Sequence, residues 1–302
     1  MGEYLMDEHT VALLHFNDGL KDESGKVWTA VGGASTSTVQ SKFGGSSLSL
    51  DGKTQYLSTP NSTDFDFGSG DFTIDWWEYR KSADVQGLVF SRQPGTYAPI
   101  AVGANNIYNG RIDAYARTDT IYNGSSYDWD ILNNFHMGLP IINEWTHYAL
   151  VRASGYFYSF QNGKLILKSD LITKEVAEGT GTPLIGCYGG IIYSGYIDEF
   201  RISNIARWTD DFDPGEVPDT PTDPTDPTNE KSILVVNMDD GRHEYAMSKV
   251  EIDAFISWYN AKAGGIGSNY YIISKSFNLG PFASRKDYLV FDQIINFEVM
   301  AY

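Results

Sequence analysis

The stretch GYIDEFRISNIARWTDDF, residues 195–212, alternates apolar and aromatic residues with charged ones. Successive side chains of a β-strand point to opposite faces, so Tyr196, Asp198 and Phe200 would share one face. Glu199 would lie on the other. With the aromatic face toward the core, Asp198 is buried among apolar groups, and a buried carboxylate needs a partner. The stretch therefore predicts a strand that carries one unusual carboxylate.

Short runs of the same kind recur before residue 214, separated by Gly, Asn, Asp and Ser. Asn162-Gly163 stands between two such runs and is a strong signal for a two-residue hairpin. No helical period persists for ten residues, so many short antiparallel strands predict a β-sandwich or jelly roll. The runs are TVALLHF (10–16), SSLSLDG (46–52), FTIDWWEYR (72–80), GLVFSR (87–92), WTHYALVR (145–152), GYFYSFQNGKLIL (155–167) and YIDEFRIS (196–203).

Residues 10–213 contain, in order, ALLHFNDGLKDESG, SKFGGSSLSLDGKTQYLSTP, DFDFGSGDFTIDWWEYR, NEWTHYALVR, FYSFQNGKL and GYIDEFRISNIARWTDDF. Together these motifs resemble the concanavalin A-like, laminin-G-like (LamG) jelly-roll domains. The resemblance implies a module that binds carbohydrate or protein, as such domains do in bacteriophage virion proteins and bacterial surface proteins. Near the other end, WYNAKAGGIGSNYY (258–271) and FNLGPFASRKDY (277–288) are similar to a small domain of phage structural proteins from Gram-positive hosts.

The same resemblance implies a structural Ca²⁺ ion near the point where the first and last residues of the jelly-roll domain meet. Hard oxygen ligands from Asp side chains suit this ion. The candidate ligands are Asp198, Asp18 in the FNDG turn and Asp51 in SLDG. The alternative interpretation is that Asp198 accepts hydrogen bonds from the backbone N–H groups of a turn.

No constellation of residues predicts catalysis. Glycosidases of this superfamily place two carboxylates on one strand face, whereas the odd spacing of Asp75 and Glu78 puts them on opposite faces. The single Glu-x-Asp motif, Glu251-Ile252-Asp253, falls on a predicted helix outside the jelly roll. Cys187 and His147 are each predicted to be core residues. We therefore expect a protein that is not an enzyme.

The segment 93–144 is long for a sandwich connection and rich in Tyr, Asn and Gly. Flat aromatic faces stack on sugar C–H surfaces, and loops on a rigid sandwich commonly carry function. Alternatively, half of these aromatics fill the core, and IYNGRIDAYAR (107–117) forms a hairpin whose Ile107, Ile112 and Tyr115 point inward. The candidate ligand-binding residues are Tyr122, Tyr127 and Trp129, which lie in a run without strand period, together with Tyr97 and His136.

A Pro/Thr/Asp-rich segment at 214–230 predicts an extended linker with five acidic residues and no basic one. It follows the jelly-roll domain, 1–213, and precedes a domain at 231–302 in which seven basic residues nearly balance eight acidic ones. In this last domain, SILVVNM (232–238) predicts a strand and Ser248 caps a helix over 249–263. Further strands are predicted in NYYIIS (269–274) and DYLVFDQIINFEVM (287–300), which makes a small α+β unit.

The charge balance excludes several classes of partner. With 22 Lys and Arg against 39 Asp and Glu, the net charge of -17 argues against nucleic-acid binding through a basic surface. No window approaches the ~18 apolar residues of a membrane helix. The start MGEYLMDEHTVALLHF (1–16) lacks the pattern of a signal peptide, so we expect that the protein leaves the cell by lysis or within an assembled particle, or that it stays inside.

Together these features predict a non-enzymatic adhesion protein of a bacteriophage virion. The jelly roll would recognise host-surface carbohydrate or protein, while the nearly neutral, aromatic C-terminal domain docks to other virion proteins. A homo-oligomer is expected, because repetition converts weak sugar contacts into avidity. The alternatives are a purely structural decoration protein of the virion, and the carbohydrate-binding module of a secreted or cell-surface glycoside hydrolase.

Overall fold

The computed structural model consists of two compact units, Met1–Thr222 and Asp223–Tyr302. Most of the predicted linker, 214–230, lies outside the described residues. The structure describes residues 3–82, 87–92, 98–104, 110–120, 128–215, 232–239, 241–247, 249–274 and 286–301.

The described residues of the first unit form β-strands and one 3₁₀ turn, at Thr63–Phe65. FTIDWWEYR and GLVFSR form strands with the predicted bounds. The strands are β1 (Thr10–Leu14), β2 (Thr29–Val31), β3 (Ser35–Ser37), β4 (Ser47–Asp51), β5 (Tyr56–Ser58), β6 (Phe72–Arg80), β7 (Gly87–Arg92), β8 (Ile100–Ala104), β9 (Ile112–Ala116), β10 (Leu132–Gly138), β11 (Trp145–Ala153), β12 (Tyr156–Gln161), β13 (Lys164–Lys168), β14 (Pro183–Ile185), β15 (Cys187–Tyr188), β16 (Ile191–Ile192) and β17 (Ser194–Ser203).

Fifteen of these strands form two antiparallel sheets that enclose one hydrophobic core, while β15 and β16 pair only with each other. An eight-stranded sheet has the order β13-β12-β11-β6-β17-β4-β3, with β1 also paired to β17. A seven-stranded sheet has the order β10-β9-β8-β7-β14-β5-β2. Ile74 and Trp76 of the first sheet and Phe90 and Val102 of the second belong to the same buried cluster. The predicted fold class, a mainly β concanavalin A-like sandwich, is confirmed.

A β-bulge changes which side chains of β17 face the core. Glu199 adopts a positive φ of 47°, and the register of β17 against β6 shifts between Asp198 and Arg201. Because of this extra residue, Ile197 and Phe200 both join the core, while Asp198 shares the outer face with Trp77, its partner on β6. The simple alternation expected for this stretch, with Asp198 and Phe200 on one face, is therefore wrong.

The outer face of the eight-stranded sheet carries a buried ion pair. The Nε and Nη2 atoms of Arg201 donate to the two carboxylate oxygens of Asp75, each at 3.0 Å. His147 Nε2 lies 3.4 Å from Asp75 Oδ2, and the Arg201 guanidinium stacks 4.0 Å from the ring centre of Tyr4. All four side chains are buried. His147 is thus a core histidine, as predicted.

The second unit is a small α+β fold. Its elements are β18 (Ser232–Met238), β19 (Gly241–Met247), α1 (Lys249–Ala263), β20 (Tyr270–Ser274), β21 (Lys286–Val290) and β22 (Ile294–Ala301), with a 3₁₀ turn at Phe291–Gln293.

Within this unit, three strands form a sheet in the order β19-β18-β22, and β20 pairs with β21. Phe255 of α1 packs in one buried cluster with Leu234 of β18 and Leu289 of β21. The helix matches the predicted range, and its predicted cap, Ser248, lies outside the described residues. No helix among the described residues is long and apolar enough to cross a membrane.

Candidate functional site

The outer face of the seven-stranded sheet carries a cluster of aromatic side chains. Tyr115 of β9 points away from the core, and its ring centre lies 5.1 Å from that of Trp129. The Trp129 ring centre is in turn 6.3 Å from that of Tyr188 in β15. Leu88 and Ala101 pack beneath this row. Trp129 and Tyr188 are partly exposed, so they offer flat apolar faces at the surface.

A polar network lies on the same face. Arg111 Nε donates to Asp113 Oδ1 at 2.7 Å, and its Nη2 donates to the carbonyl oxygen of Asn134 at 3.1 Å. The Tyr115 hydroxyl donates to Asn134 Oδ1 at 3.0 Å. Asn134 has a positive φ of 55° at an irregularity of β10, which directs its groups toward β9. We call this set the outer-face site; it consists of Arg111, Asp113, Tyr115, Trp129, Asn134, His136 and Tyr188.

Burial shifts the ionisation of two members of the outer-face site. Partial burial, with the Arg111 charge nearby, lowers the pKa of His136, so its imidazole is neutral at pH 7. The Gly138 N–H donates to His136 Nδ1 at 3.4 Å, which leaves Nε2 as the protonated nitrogen. Burial raises the pKa of Asp113 although Arg111 opposes the shift. At neutral pH the site holds the Arg111 guanidinium paired with the Asp113 carboxylate, together with neutral hydrogen-bonding groups.

The structure brings two predicted ligand-binding residues, Trp129 and His136, to this one face. Tyr97, Tyr122 and Tyr127 lie outside the described residues. The alternative in which both Ile112 and Tyr115 fill the core is wrong, because residues three apart on a strand face opposite sides.

Other members of the outer-face site were missed in the sequence. Arg111, Asp113 and Tyr115 stand at every second position of RIDAYAR, and this period was the signal available for placing them together. Tyr188 carried no comparable signal, since it comes from a distant two-residue strand, β15.

The three candidate calcium ligands do not come together. Asp198 Oδ2 accepts hydrogen bonds from the N–H groups of Lys42 and Phe43, at 2.7 and 3.2 Å, as the turn interpretation expects. Asp51 Oδ1 is likewise occupied by backbone N–H donors, and Asp18 is exposed. Within the described residues, no group of three His, Cys, Asp or Glu side chains could hold a metal ion. Asp198, Asp18 and Asp51 therefore do not fit one Ca²⁺ site.

Calcium binding remains a prediction of the family resemblance, and chelation tests it. A structural ion stabilises the folded state by mass action, so its removal lowers the melting temperature (Tm). If Ca²⁺ is held by this protein, excess EGTA lowers the Tm by several degrees and added Ca²⁺ restores it. Ca²⁺-saturated EGTA at the same ionic strength is the control. A Tm unchanged by EGTA would refute calcium binding.

Neither carboxylate of β6 is free for glycosidic chemistry. Asp75 is held by Arg201 on the outer face, while Glu78 accepts a hydrogen bond from Arg80 Nε at 2.6 Å on the core face. Both carboxylates are buried. Cys187 is also buried, and burial raises the pKa of its thiol, which disfavours the reactive thiolate.

The chain belongs to the concanavalin A-like lectin/glucanases superfamily, since residues 51–211 match its Laminin_G_3 family. This assignment agrees with the two-sheet sandwich. No curated protein is significantly similar to the chain in sequence.

Several solved structures share the fold at low sequence identity. The binding domain of Paraclostridial Mosquitocidal Protein 1 is 12% identical with a TM-score of 0.51, over 76% of this chain and 58% of that one. Domain 4 of a GH43 extracellular arabinanase from Geobacillus stearothermophilus, solved with arabinotriose, is 15% identical with a TM-score of 0.47, over 66% and 93%. The binding domain of botulinum neurotoxin DC, solved with SialylT, is 13% identical with a TM-score of 0.49, over 91% and 68%. At these identities the likeness concerns the fold alone.

Proposed function

We propose that this protein is a non-enzymatic adhesin whose first unit binds carbohydrate at the outer-face site. The observation that carries the proposal is the combination, on one sheet face, of a partly exposed aromatic row with a preorganised polar network. Aromatic faces stack on the C–H surfaces of sugars, and fixed polar groups select their hydroxyls. Strands β9, β10 and β15 carry Asp113, Tyr115, Asn134, His136 and Tyr188, and groups held by strands lower the entropic cost of binding.

Trp129 is the sharpest test of this proposal. Trp129→Ala removes the middle ring of the row, so we expect at least a tenfold loss of affinity for the glycan or host cell that the unmodified protein binds, a loss of about 1.4 kcal/mol. The assay is a glycan array followed by calorimetric titration. Circular dichroism checks that the variant folds.

Tyr156→Ala provides the matched control, because Tyr156 is a partly exposed aromatic residue on the eight-stranded sheet. It should bind as the unmodified protein does. Full binding by the Trp129 variant would contradict the proposed site. No binding of the unmodified protein to any glycan or to host cells would favour a structural decoration protein instead.

The absence of catalysis is part of the proposal, and the carboxylate geometry supports it. Retaining glycosidases need two carboxyl groups about 5–5.5 Å apart that flank one bond. Asp75 and Glu78 face opposite sides of β6 and are each neutralised by a buried arginine. Glu251 and Asp253 lie in α1 of the second unit. Hydrolysis of host polysaccharide by the purified protein would overturn this part.

We further propose that the protein acts in a bacteriophage virion, with the second unit as its docking module. The support is the motif resemblance together with an apolar surface on that unit. On the outer side of the β20–β21 pair, Tyr270, Ile272 and Tyr288 are 47%, 40% and 56% exposed. Exposed apolar groups in a nearly neutral unit suit protein contacts, to other virion proteins or between copies of the chain.

A further inference from the structure

One buried carboxylate oxygen in the outer-face site lacks a partner. Asp113 is fully buried, and its Oδ1 accepts from Arg111 Nε, but Oδ2 has no hydrogen-bond partner. Among the described side chains, it is the one carboxylate oxygen buried in this way. Such an oxygen costs about 1–3 kcal/mol, and native proteins usually satisfy it. An acceptor left open in a polar network indicates a missing donor.

The surroundings of Asp113 show where that donor would come from. His136 Nδ1 lies 3.9 Å from Asp113 Oδ1, and 34% of the His136 side chain is exposed. The His136 side chain thus lies between the Asp113 carboxylate and the solvent. For a ligand stacked on Trp129 to reach the buried Oδ2, the partly exposed His136 imidazole would have to move aside.

The charges around the site restrict the kind of ligand. Arg111 is already directed at Asp113 Oδ1 and at the Asn134 carbonyl. Two acidic residues flank Trp129: Asp128, which accepts from the Trp129 N–H, and Asp130, which Lys174 neutralises. A carboxylated ligand would bring a second negative charge beside Asp113 and Asp128, which is unfavourable at short range. A hydroxyl group, in contrast, donates to Oδ2 without adding charge.

We infer that the outer-face site takes a neutral, hydroxyl-rich sugar, one of whose hydroxyls donates to Asp113 Oδ2, and that it discriminates against carboxylated sugars. This inference rests on the proposed function and specifies its ligand class. Without a ligand, Asp113 Oδ2 lacks a hydrogen bond, and a bound sugar hydroxyl supplies it. Burial also raises the pKa of Asp113, in agreement with a carboxylate whose solvation is incomplete until the ligand arrives.

The test compares oligosaccharides that differ only at C6. The intact protein is titrated calorimetrically with cellotriose and α-1,4-galactotriose, and with the counterparts of both in which C6 is oxidised to a carboxylate. We expect at least one neutral member to bind at least tenfold more tightly than its oxidised counterpart. Equal or tighter binding of the carboxylated members would overturn the inference and leave the proposed function standing. Binding of neither kind, on these probes and on a glycan array of both kinds, would overturn both.

Asp113→Asn supplies a second readout that a purely structural role would not give. The amide nitrogen cannot accept a hydrogen bond, so affinity for the preferred neutral sugar should fall tenfold or more. Because the variant also removes a poorly solvated charge, its Tm without ligand should rise by a few degrees at pH 7.5. This gain should shrink as the pH falls, because Asp113, whose pKa burial raises above its usual value, takes up a proton. An unchanged affinity, or a lower Tm, would overturn the role of Asp113.

Asp119→Asn is the matched control for this charge change. Asp119 lies on the same unit, its side chain is 68% exposed, and it contacts Arg117 at 3.5 Å outside the outer-face site. The control variant should keep both the affinity and the Tm of the unmodified protein. An equal loss of affinity in the Asp119 variant would assign the effect to overall charge and overturn the inference.

Discussion

Replacing Arg201 by methionine is expected to destabilise the first unit by about 3–5 kcal/mol at pH 7, the usual cost of leaving a buried charge without its partner. Arg201 and Asp75 are 1% and 0% exposed, so water cannot replace the lost guanidinium. His147 Nε2 lies 3.4 Å from Asp75 Oδ2, but burial lowers the pKa of that imidazole, so at pH 7 Arg201 supplies the positive charge that pairs with Asp75. Urea unfolding followed by tryptophan fluorescence measures the loss.

The pH dependence of this loss has a definite sign. Burial alone would raise the pKa of Asp75, but the Arg201 charge and the His147 hydrogen bond lower it to about 2. In the unmodified protein the stabilisation is present above the unfolded pKa, near 3.8, and is lost as the pH falls toward 2. In Arg201→Met the burial effect prevails and the pKa of Asp75 rises. The destabilisation should therefore be largest at neutral pH and shrink as the pH falls toward 4.

A double variant provides the control for Arg201→Met. Asp75→Val together with Arg201→Met removes both charges, and apolar replacement of a complete buried pair is commonly tolerated. We expect the double variant to recover at least half of the stability lost in the single one. If it is as unstable as the single variant at every pH, the loss comes from packing around Tyr4 and the ion-pair explanation fails.

Gly163→Ala is expected to cost about 2–5 kcal/mol, a large effect for one methyl group. Gly163 and Asn162 form the β12–β13 turn with positive φ angles of 71° and 49°. A Cβ atom at 163 would lie 1.9 Å from the Phe212 carbonyl oxygen, where the chain packs back against the hairpin. Left-handed backbone strain contributes about 1–2 kcal/mol, and the steric clash contributes about 1–3 kcal/mol. The shift of the urea midpoint measures the sum.

Gly25→Ala separates these two contributions. Gly25 also has a positive φ, of 86°, but nothing lies within 4 Å of the position its Cβ would occupy. This variant should lose only the strain contribution, about 1–2 kcal/mol. Equal losses in the Gly163 and Gly25 variants would show that the contact with Phe212 does not matter.

The parts of the fold that local sequence determines were predictable. The predicted run FTIDWWEYR has the same bounds as β6. Its Trp, Ile, Phe and Tyr side chains favour a β-strand, and a turn signal precedes it. Asn162-Gly163 forms the expected turn, which needs a positive φ angle at two successive residues, and Asn and Gly tolerate this conformation best. The helix at 249–263 followed from its period and the two glycines after it.

The features that depend on pairing between distant strands were not predictable. The bulge at Glu199 places a non-glycine residue in the left-handed region, which only the pairing with β6 can enforce. For the candidate site, Trp129 and His136 could be named as aromatic or polar groups in a long connection. Their proximity to Tyr188 depends on how β9, β10 and β15 are arranged in space, and no local sequence pattern predicts that arrangement.

The position of β1 has a consequence for how the protein folds during synthesis. β1 pairs with β17, and the Tyr4 N–H donates to the Glu199 carboxylate across 195 residues of chain. The eight-stranded sheet therefore cannot be completed until β17, which ends at Ser203, has emerged from the ribosome. Such distant contacts slow folding to milliseconds or seconds, because loop closure costs entropy before the pairing repays it. Until β17 has been synthesised and has paired, the nascent chain exposes unpaired strands. We therefore expect chaperones to bind it mainly before the linker leaves the ribosome.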